Sequence, residues 1–207
     1  MYAIVDRRPA RARLVGVAGE PIALVRTAGL WVATGRVEAA PPLDEPSMRA
    51  HDRAVRALAD RVDAILPARF GATVTDVRAL ARHLAGRTEA LERALERVTG
   101  CVQMSLRLFD DAPGPASAPA EDLAPGRRYL EERREDARVR ALREHLRPLV
   151  RDERSSPGRP PLVASLFHLV ARDAVGAYEA LLAHWEADLR VRASGPWPPY
   201  GFAPELA

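Results

Sequence analysis

The chain has 207 residues, 47% of them apolar, which is enough for one large or two small cores and is not the composition of a disordered chain. All 31 basic side chains are arginine, and 28 acids offset them to a net charge of +3, a balance that excludes strong nucleic-acid or membrane-surface binding. One cysteine, Cys101, excludes an intrachain disulfide and fits a reducing compartment. No apolar run approaches the roughly 18–20 residues of a membrane span.

The chain starts Met1-Tyr2-Ala3-Ile4-Val5-Asp6-Arg7-Arg8, with an acid and an arginine pair where a signal peptide would place its apolar run, so it reads as cytoplasmic and soluble. Residues 2–5 are a candidate strand, and 7–13 a basic, proline-broken turn. Ile22-Ala23-Leu24-Val25-Arg26 and Leu30-Trp31-Val32-Ala33-Thr34-Gly35-Arg36-Val37 flank the link Thr27-Ala28-Gly29, which predicts a hairpin, ended by Pro41-Pro42. Ser47 is the expected N-cap of a helix over 47–66, with Met48, Val55, Leu58, Val62 and Ile65 as its apolar stripe. Pro67 stops it, and 66–74 reads as extended. Thr75 is the expected cap of a second helix, with Val77, Leu80, Ala81 and Leu84 on one face and Gly86 at its end. A third spans 88–98 and aligns Leu91, Leu95 and Val98 above a salt-bridged solvent face.

Gly100 marks the expected boundary between two domains, 1–99 and 100–207. Val102-Gln103-Met104-Ser105-Leu106-Arg107-Leu108 alternates apolar and polar, the pattern of a half-buried strand. Residues 112–125 read as a mobile loop rich in Pro, Ala, Gly and Ser. Residues 127–150 read as one long charged helix, or two, turning Leu130, Ala137, Ala141 or Val139, Leu142, Leu146 and Leu149 inward and breaking near Pro148. Ser155-Ser156-Pro157-Gly158-Arg159-Pro160-Pro161 reads as a second loop. Residues 162–171 are apolar at both alternating positions except Ser165 and His168, as in a central strand. Asp173 opens a helix with Val175, Tyr178, Leu182 and Trp185 in register, and 189–193 alternates again. The fold class is therefore α+β: an N-terminal α+β domain and a C-terminal split-βαβ, ferredoxin-like domain with a Pro/aromatic tail. Three of that fold's four strands are recognisable.

No catalytic, cofactor or metal motif emerges. His51, His83, His145, His168 and His184 stand at no zinc-site spacing, and no phosphate loop, nucleophile elbow or dinucleotide fingerprint occurs. His51 and Asp52 read as polar residues on the surface, and His168 as a hydrogen-bonded core histidine. Asp110-Asp111 reads as a strand running out into a polar loop, and Cys101 as a small apolar residue. The arginines of 127–143 alternate with Glu131, Glu132, Glu135 and Asp136, which argues against a nucleic-acid stripe.

The most distinctive stretch is Ser194-Gly195-Pro196-Trp197-Pro198-Pro199-Tyr200-Gly201-Phe202. Its prolines fix φ near −65° and impose an extended ribbon. Two readings compete: a clasp folded back on the core, or an exposed docking surface, because Pro196-x-x-Pro199 is formally a PxxP ligand.

Gly195 to Phe202 resembles the C-terminal signature of the gas vesicle GvpF/GvpL proteins, and Leu66-Pro67-Ala68-Arg69-Phe70-Gly71 is similar to that family's second signature. Ala50-His51-Asp52 and Tyr129-Leu130-Glu131-Glu132-Arg133 also sit where similar segments belong. Where the family usually places Thr after Phe-Gly, this chain has Ala72 and then Thr73. The resemblance implies a non-enzymatic accessory or minor structural protein of gas vesicles, cytoplasmic, without cofactor, nucleic-acid or membrane partner. Its expected partners are the apolar shell protein GvpA and other accessory Gvp proteins, in support of vesicle nucleation and assembly. The candidate partner-binding or clasp residues are Arg69, Phe70, Gly71, Gly195, Pro196, Trp197, Pro198, Pro199, Tyr200 and Phe202. In the plainer alternative Arg69 bridges the domains and clamps the tail. A PxxP-bearing adaptor, and a hydrolase using His51 or Asp110-Asp111, are the competing functions. F-like or L-like, resident or transient, and the oligomeric state all stay open at this point.

Overall fold

The computed structural model describes residues 1–9, 13–110, 136–185 and 189–205. The expected loop over 112–125, the start of the helix at 127, Leu130, Asp111 and the Tyr129–Arg133 motif lie outside the described residues. The chain forms two compact units, each with a four-stranded sheet. The first comprises Met1–Gln103 and the segment from Pro196 onward, and the second is Met104–Gly195. The tail thus groups with the first unit, although chain order assigned it to the second half.

In the first unit, β1 (Ala3–Val5), β2 (Ile22–Thr27), β3 (Leu30–Gly35) and β4 (Ile65–Pro67) pair antiparallel in the order β2-β3-β1-β4. The β2–β3 hairpin turns on two residues, Ala28 and Gly29, with φ of 48° and 80°. Positive φ at both central positions is the type I′ geometry, whose twist matches that of the flanking strands.

Helix α1 (Glu45–Ala59) differs from its expected form at both ends. Its cap is Asp44, whose carboxylate accepts the Ser47 N–H at 2.8 Å, and Pro46 sits in the first turn. It stops at Ala59, and Ile65 and Leu66 enter β4 opposite Val5 and Ile4. The helical period of Val62 and Ile65 yields because β1 offers an open edge whose backbone groups need partners. Of the expected stripe Val55 and Leu58 are buried on the helix and Val62 and Ile65 just beyond it, together with Ser47, His51, Ala54 and Ala59, whereas Met48 is exposed. Helix α2 (Val77–Ala85) is capped by Asp76, not Thr75, through the Ala79 N–H at 2.7 Å; Leu80 and Leu84 are buried but Val77 is exposed. Helix α3 (Thr88–Val98) buries Leu91, Leu95 and Val98 as expected.

The second unit is built from β5 (Cys101–Asp110), α4 (Ala137–Leu146), β6 (Val150–Pro157), β7 (Leu162–Ala171), α5 (Val175–Ala183) and β8 (Leu189–Trp197). Residues 101–103 of β5 and 196–197 of β8 are counted with the first unit. Sheet order is β6-β7-β5-β8, and with the chain order β-α-β-β-α-β this is the ferredoxin-like arrangement. Strand β6 is the fourth strand that was not recognised in the sequence. The helix ends at Leu146, Pro148 falls in a short 3₁₀ turn, and Ser155, Ser156 and Pro157 are strand, not loop. Arg151, Asp152, Glu153 and Arg154 offer no apolar alternation, since β6 is a charged edge strand. Its conformation comes from pairing with β7, Arg154 opposite Phe167 and Ser156 opposite Ser165. Helices α4 and α5 cover one face of this sheet, where Val139, Leu142, Leu146 and Tyr178 meet Met104, Leu106, Leu108, Leu166 and Val170. Pro67 and Pro196 both sit on edge strands, where a missing N–H breaks no ladder.

Candidate functional site

Three stretches far apart in sequence meet in the first unit. The first is α1, which turns His51 into the core, 5% exposed. The ring stacks on Tyr2 with centroids 5.3 Å apart and meets Phe70 edge-on at 5.6 Å. His51 Nε2 lies 3.0 Å from the Ala68 carbonyl oxygen, which only accepts, so Nε2 carries the proton and donates. This bond anchors the segment that leads from β4 into the second stretch, the Arg69-Phe70-Gly71 turn. There the Ala72 N–H donates to the Arg69 carbonyl at 3.2 Å, and Gly71 at φ 86° takes the third position of a type II turn.

The third stretch is the tail. Pro198, Pro199 and Phe202 are buried, and Tyr200 packs against the cluster of Tyr2, Val55 and Leu58. The Gly201 N–H donates to the Gln103 amide oxygen at 2.7 Å. The Arg56 guanidinium lies 4.1 Å from the Trp197 ring centroid, and its Nε pairs with Asp52 at 2.7 Å. Asp52 of the Ala-His-Asp motif therefore holds the arginine that covers the tail's tryptophan. Burial, then the Asp52 charge, push the Tyr200 phenol above its ordinary pKa. Arg69 and Glu205 pair at 3.0 Å while both stay more than 70% exposed, and Arg87 donates to the Glu205 backbone carbonyl. Since Pro199 is buried, a PxxP-reading groove would have to detach the tail before it could bind.

His51, Asp52, Arg56 and Gln103 were not among the expected site residues. One available signal was spacing: His51 stands four before Val55 and seven before Leu58, on the stripe it was assumed to avoid. Burial, followed by the charge of the Met1 amino group, lowers the His51 pKa against the opposing Ala68 hydrogen bond and Asp52. A histidine with a lowered folded pKa binds fewer protons folded than unfolded, so its contribution is full above about pH 6.5 and falls as pH drops toward the folded value. Thermal stability of the first unit should therefore fall between pH 7.5 and 5 in the wild type, and fall less in His51→Gln. Equal slopes in melts of the two proteins would remove His51 as the cause.

The other residues singled out for chemistry are held in structural contacts. Asp110 pairs with Arg138 at 3.2 Å, and Arg138 in turn pairs with Asp136 at the start of α4. His168 is fully buried, with Nδ1 2.7 Å from the Tyr178 hydroxyl and Nε2 3.1 Å from Glu153. Glu153 also pairs with Arg143 at 2.8 Å; burial raises its pKa, but His168 and Arg143 outweigh that and hold the carboxyl below its ordinary value.

Over residues 1–204 the chain matches the family described as "Gas vesicle synthesis protein GvpL/GvpF". It belongs to the GvpL/GvpF family. It is 29% identical over 209 residues to "Gas vesicle protein F2" of Halobacterium salinarum, covering 97% of this chain and 89% of the relative. It is 30% identical over a 230-residue alignment to "Gas vesicle protein L" of a Streptomyces species, covering 91% and 85%. Crystal structures of GvpF from Microcystis aeruginosa and an Anabaena species share its fold, with TM-scores of 0.77 and 0.78 at 15% and 17% identity. Each covers 98% of this chain, which in turn spans 97% and 94% of theirs. GvpL/GvpF membership gives the chain a role in gas vesicles. Among the described residues, no helix is long and apolar enough to cross a membrane.

Proposed function

We propose that this GvpL/GvpF member is a non-enzymatic accessory or minor structural protein that binds the shell protein GvpA and supports vesicle nucleation and assembly. Its first unit makes the contact, through the Arg69-Phe70-Gly71 turn, the clasped tail and the apolar surface beside them. A subunit that builds a gas-facing apolar wall would aggregate in water unless its surface were covered before assembly. The observation that carries the reading is the placement of exposed apolar side chains. Among the described residues the large ones are Val15, Leu43, Met48, Val74 and Val77, and all belong to the first unit. Val74 and Val77 line a groove of about 660 Å³ with Met1, Val37 and Leu80, reached by the chain directly after the Gly71-Ala72 turn.

Coexpression with GvpA followed by pull-down tests this. Wild type should capture the shell protein, and Val74→Asp with Val77→Asp should reduce capture by about tenfold or more, the scale of two valines' apolar contact. Both valines are exposed, so the variant should melt as wild type does. A folded wild type that captures no GvpA would end the proposal.

A further inference from the structure

We propose that the outer face of α2 is a docking surface for an acidic amphipathic helix, gripped by Arg78 and Arg82. From Val77 to Thr88 the chain contains no acid and carries Arg78, Arg82, His83 and Arg87, although its net charge is only +3. Leu80 and Leu84 are buried beneath the helix, so Arg78 and Arg82, one turn apart, stand on its outer side, and both are exposed. Among the described residues neither guanidinium has a partner, in contrast to Arg87, which donates to the Glu205 backbone carbonyl. Arg78 lies in the first turn, where the helix dipole disfavours a cation, and Arg82 repels it from one turn further on. The cap Asp76 is taken up by the Ala79 N–H, and Glu38 stands with it in the groove beside Val77, so neither carboxylate is bonded to the two arginines.

Beside the arginines runs a line of small side chains, Val77, Ala81 and Ala85, at i, i+4 and i+8, over which a second helix can pack closely. Carboxylates at i and i+4 of that helix stand about 6 Å apart along its axis, which is also the rise from Arg78 to Arg82. Each guanidinium can then hold a carboxylate with two parallel N–H bonds, and the repulsion between the two arginines is relieved. A lipid surface fits less well, because the leucines that would enter it, Leu80 and Leu84, are already buried in the unit. A nucleic-acid strand would find no aromatic ring on α2 to stack on. The face adjoins the groove assigned to the shell protein, but the inference does not rest on that reading. Peptide binding and shell-protein capture are separate measurements, and either can fail alone.

The test uses the full chain and a fluorescein-labelled, alanine-based helical peptide with Glu at i and i+4 beside a line of Leu, read by fluorescence anisotropy at low salt. Saturable binding is expected, weakened about tenfold or more in Arg78→Gln/Arg82→Gln by loss of both charged contacts. Both side chains are exposed, so this variant should melt as wild type does. A peptide of the same composition with its Glu residues at i and i+2, on different sides of the helix, should bind at least about threefold more weakly. Arg53→Gln, which removes an exposed cation of α1, should bind as wild type does. The proposal is overturned by an absence of binding, by equal binding of the double glutamine variant, or by equal binding of the two peptides. Tighter binding of a single-stranded oligouridylate or of phosphatidylserine vesicles would overturn it as well. Self-association of the chain that is lost in Arg78→Gln/Arg82→Gln would assign the face to a second copy and overturn the acidic partner.

Discussion

His168→Ala is expected to destabilise the second unit by about 3–5 kcal/mol. Two effects combine at this site. Removing a fully buried ring leaves a cavity between β7 and α5, and the lost imidazole bridged the Tyr178 hydroxyl to Glu153. The hydroxyl, itself fully buried, would then have no acceptor, at a cost of about 1–3 kcal/mol. Glu153 would keep Arg143 and its partial exposure, which limits the loss on that side. Tyr178→Phe separates the two effects, since it preserves volume and removes only the hydroxyl, and should cost about 1–3 kcal/mol. Urea unfolding followed by hydrogen exchange at β6 and β7 amides would measure both. A His168→Ala variant within about 1 kcal/mol of wild type would mean that neither the packing of the ring nor its hydrogen bonds contribute much.

The second large effect is expected at the clasp. Phe202→Ala should cost the first unit about 3–5 kcal/mol, because the ring is 4% exposed. Trp197→Ala removes the half-buried partner of Arg56, a contact worth about 0.5–2 kcal/mol, and should cost less than Phe202→Ala. Arg69→Ala loses a pair between two well-exposed side chains and should change stability by no more than about 1 kcal/mol. The ranking is the informative part. If Arg69 outweighed Phe202 in thermal melts, the tail would be held by charge at its end and not by burial along its length. If Phe202 dominates, shell-protein capture can be compared between a clasped wild type and an unclasped variant, which tells whether the tail serves the partner or only its own unit.

Much of this architecture was legible in the residues. The β2–β3 hairpin, helix α3 and the alternating strand β5 each carry a strong local period, and the elements formed as that period requires. The tail and the Leu66–Gly71 stretch were legible as well, since aromatic, proline and glycine residues in that order are rare enough to indicate the family, which the match over 1–204 shows. Local pattern did not reach three other features. Strand β6 has almost no apolar residues, and its conformation exists only because β7 offers a ladder to pair with. The end of α1 is decided by the open edge of β1, which draws Ile65 and Leu66 out of a helical period they would otherwise continue. His51 reads as an exposed polar side chain until Tyr2, Ala68 and Phe70 surround it. Residue pattern alone is enough for the family, the α+β class and the stiff aromatic ribbon at the C-terminus. That this ribbon packs into the unit that begins the chain follows from long-range packing. A proline-fixed ribbon sets its own direction, but which apolar surface it covers depends on residues more than a hundred positions away, Arg56 and Tyr2 among them.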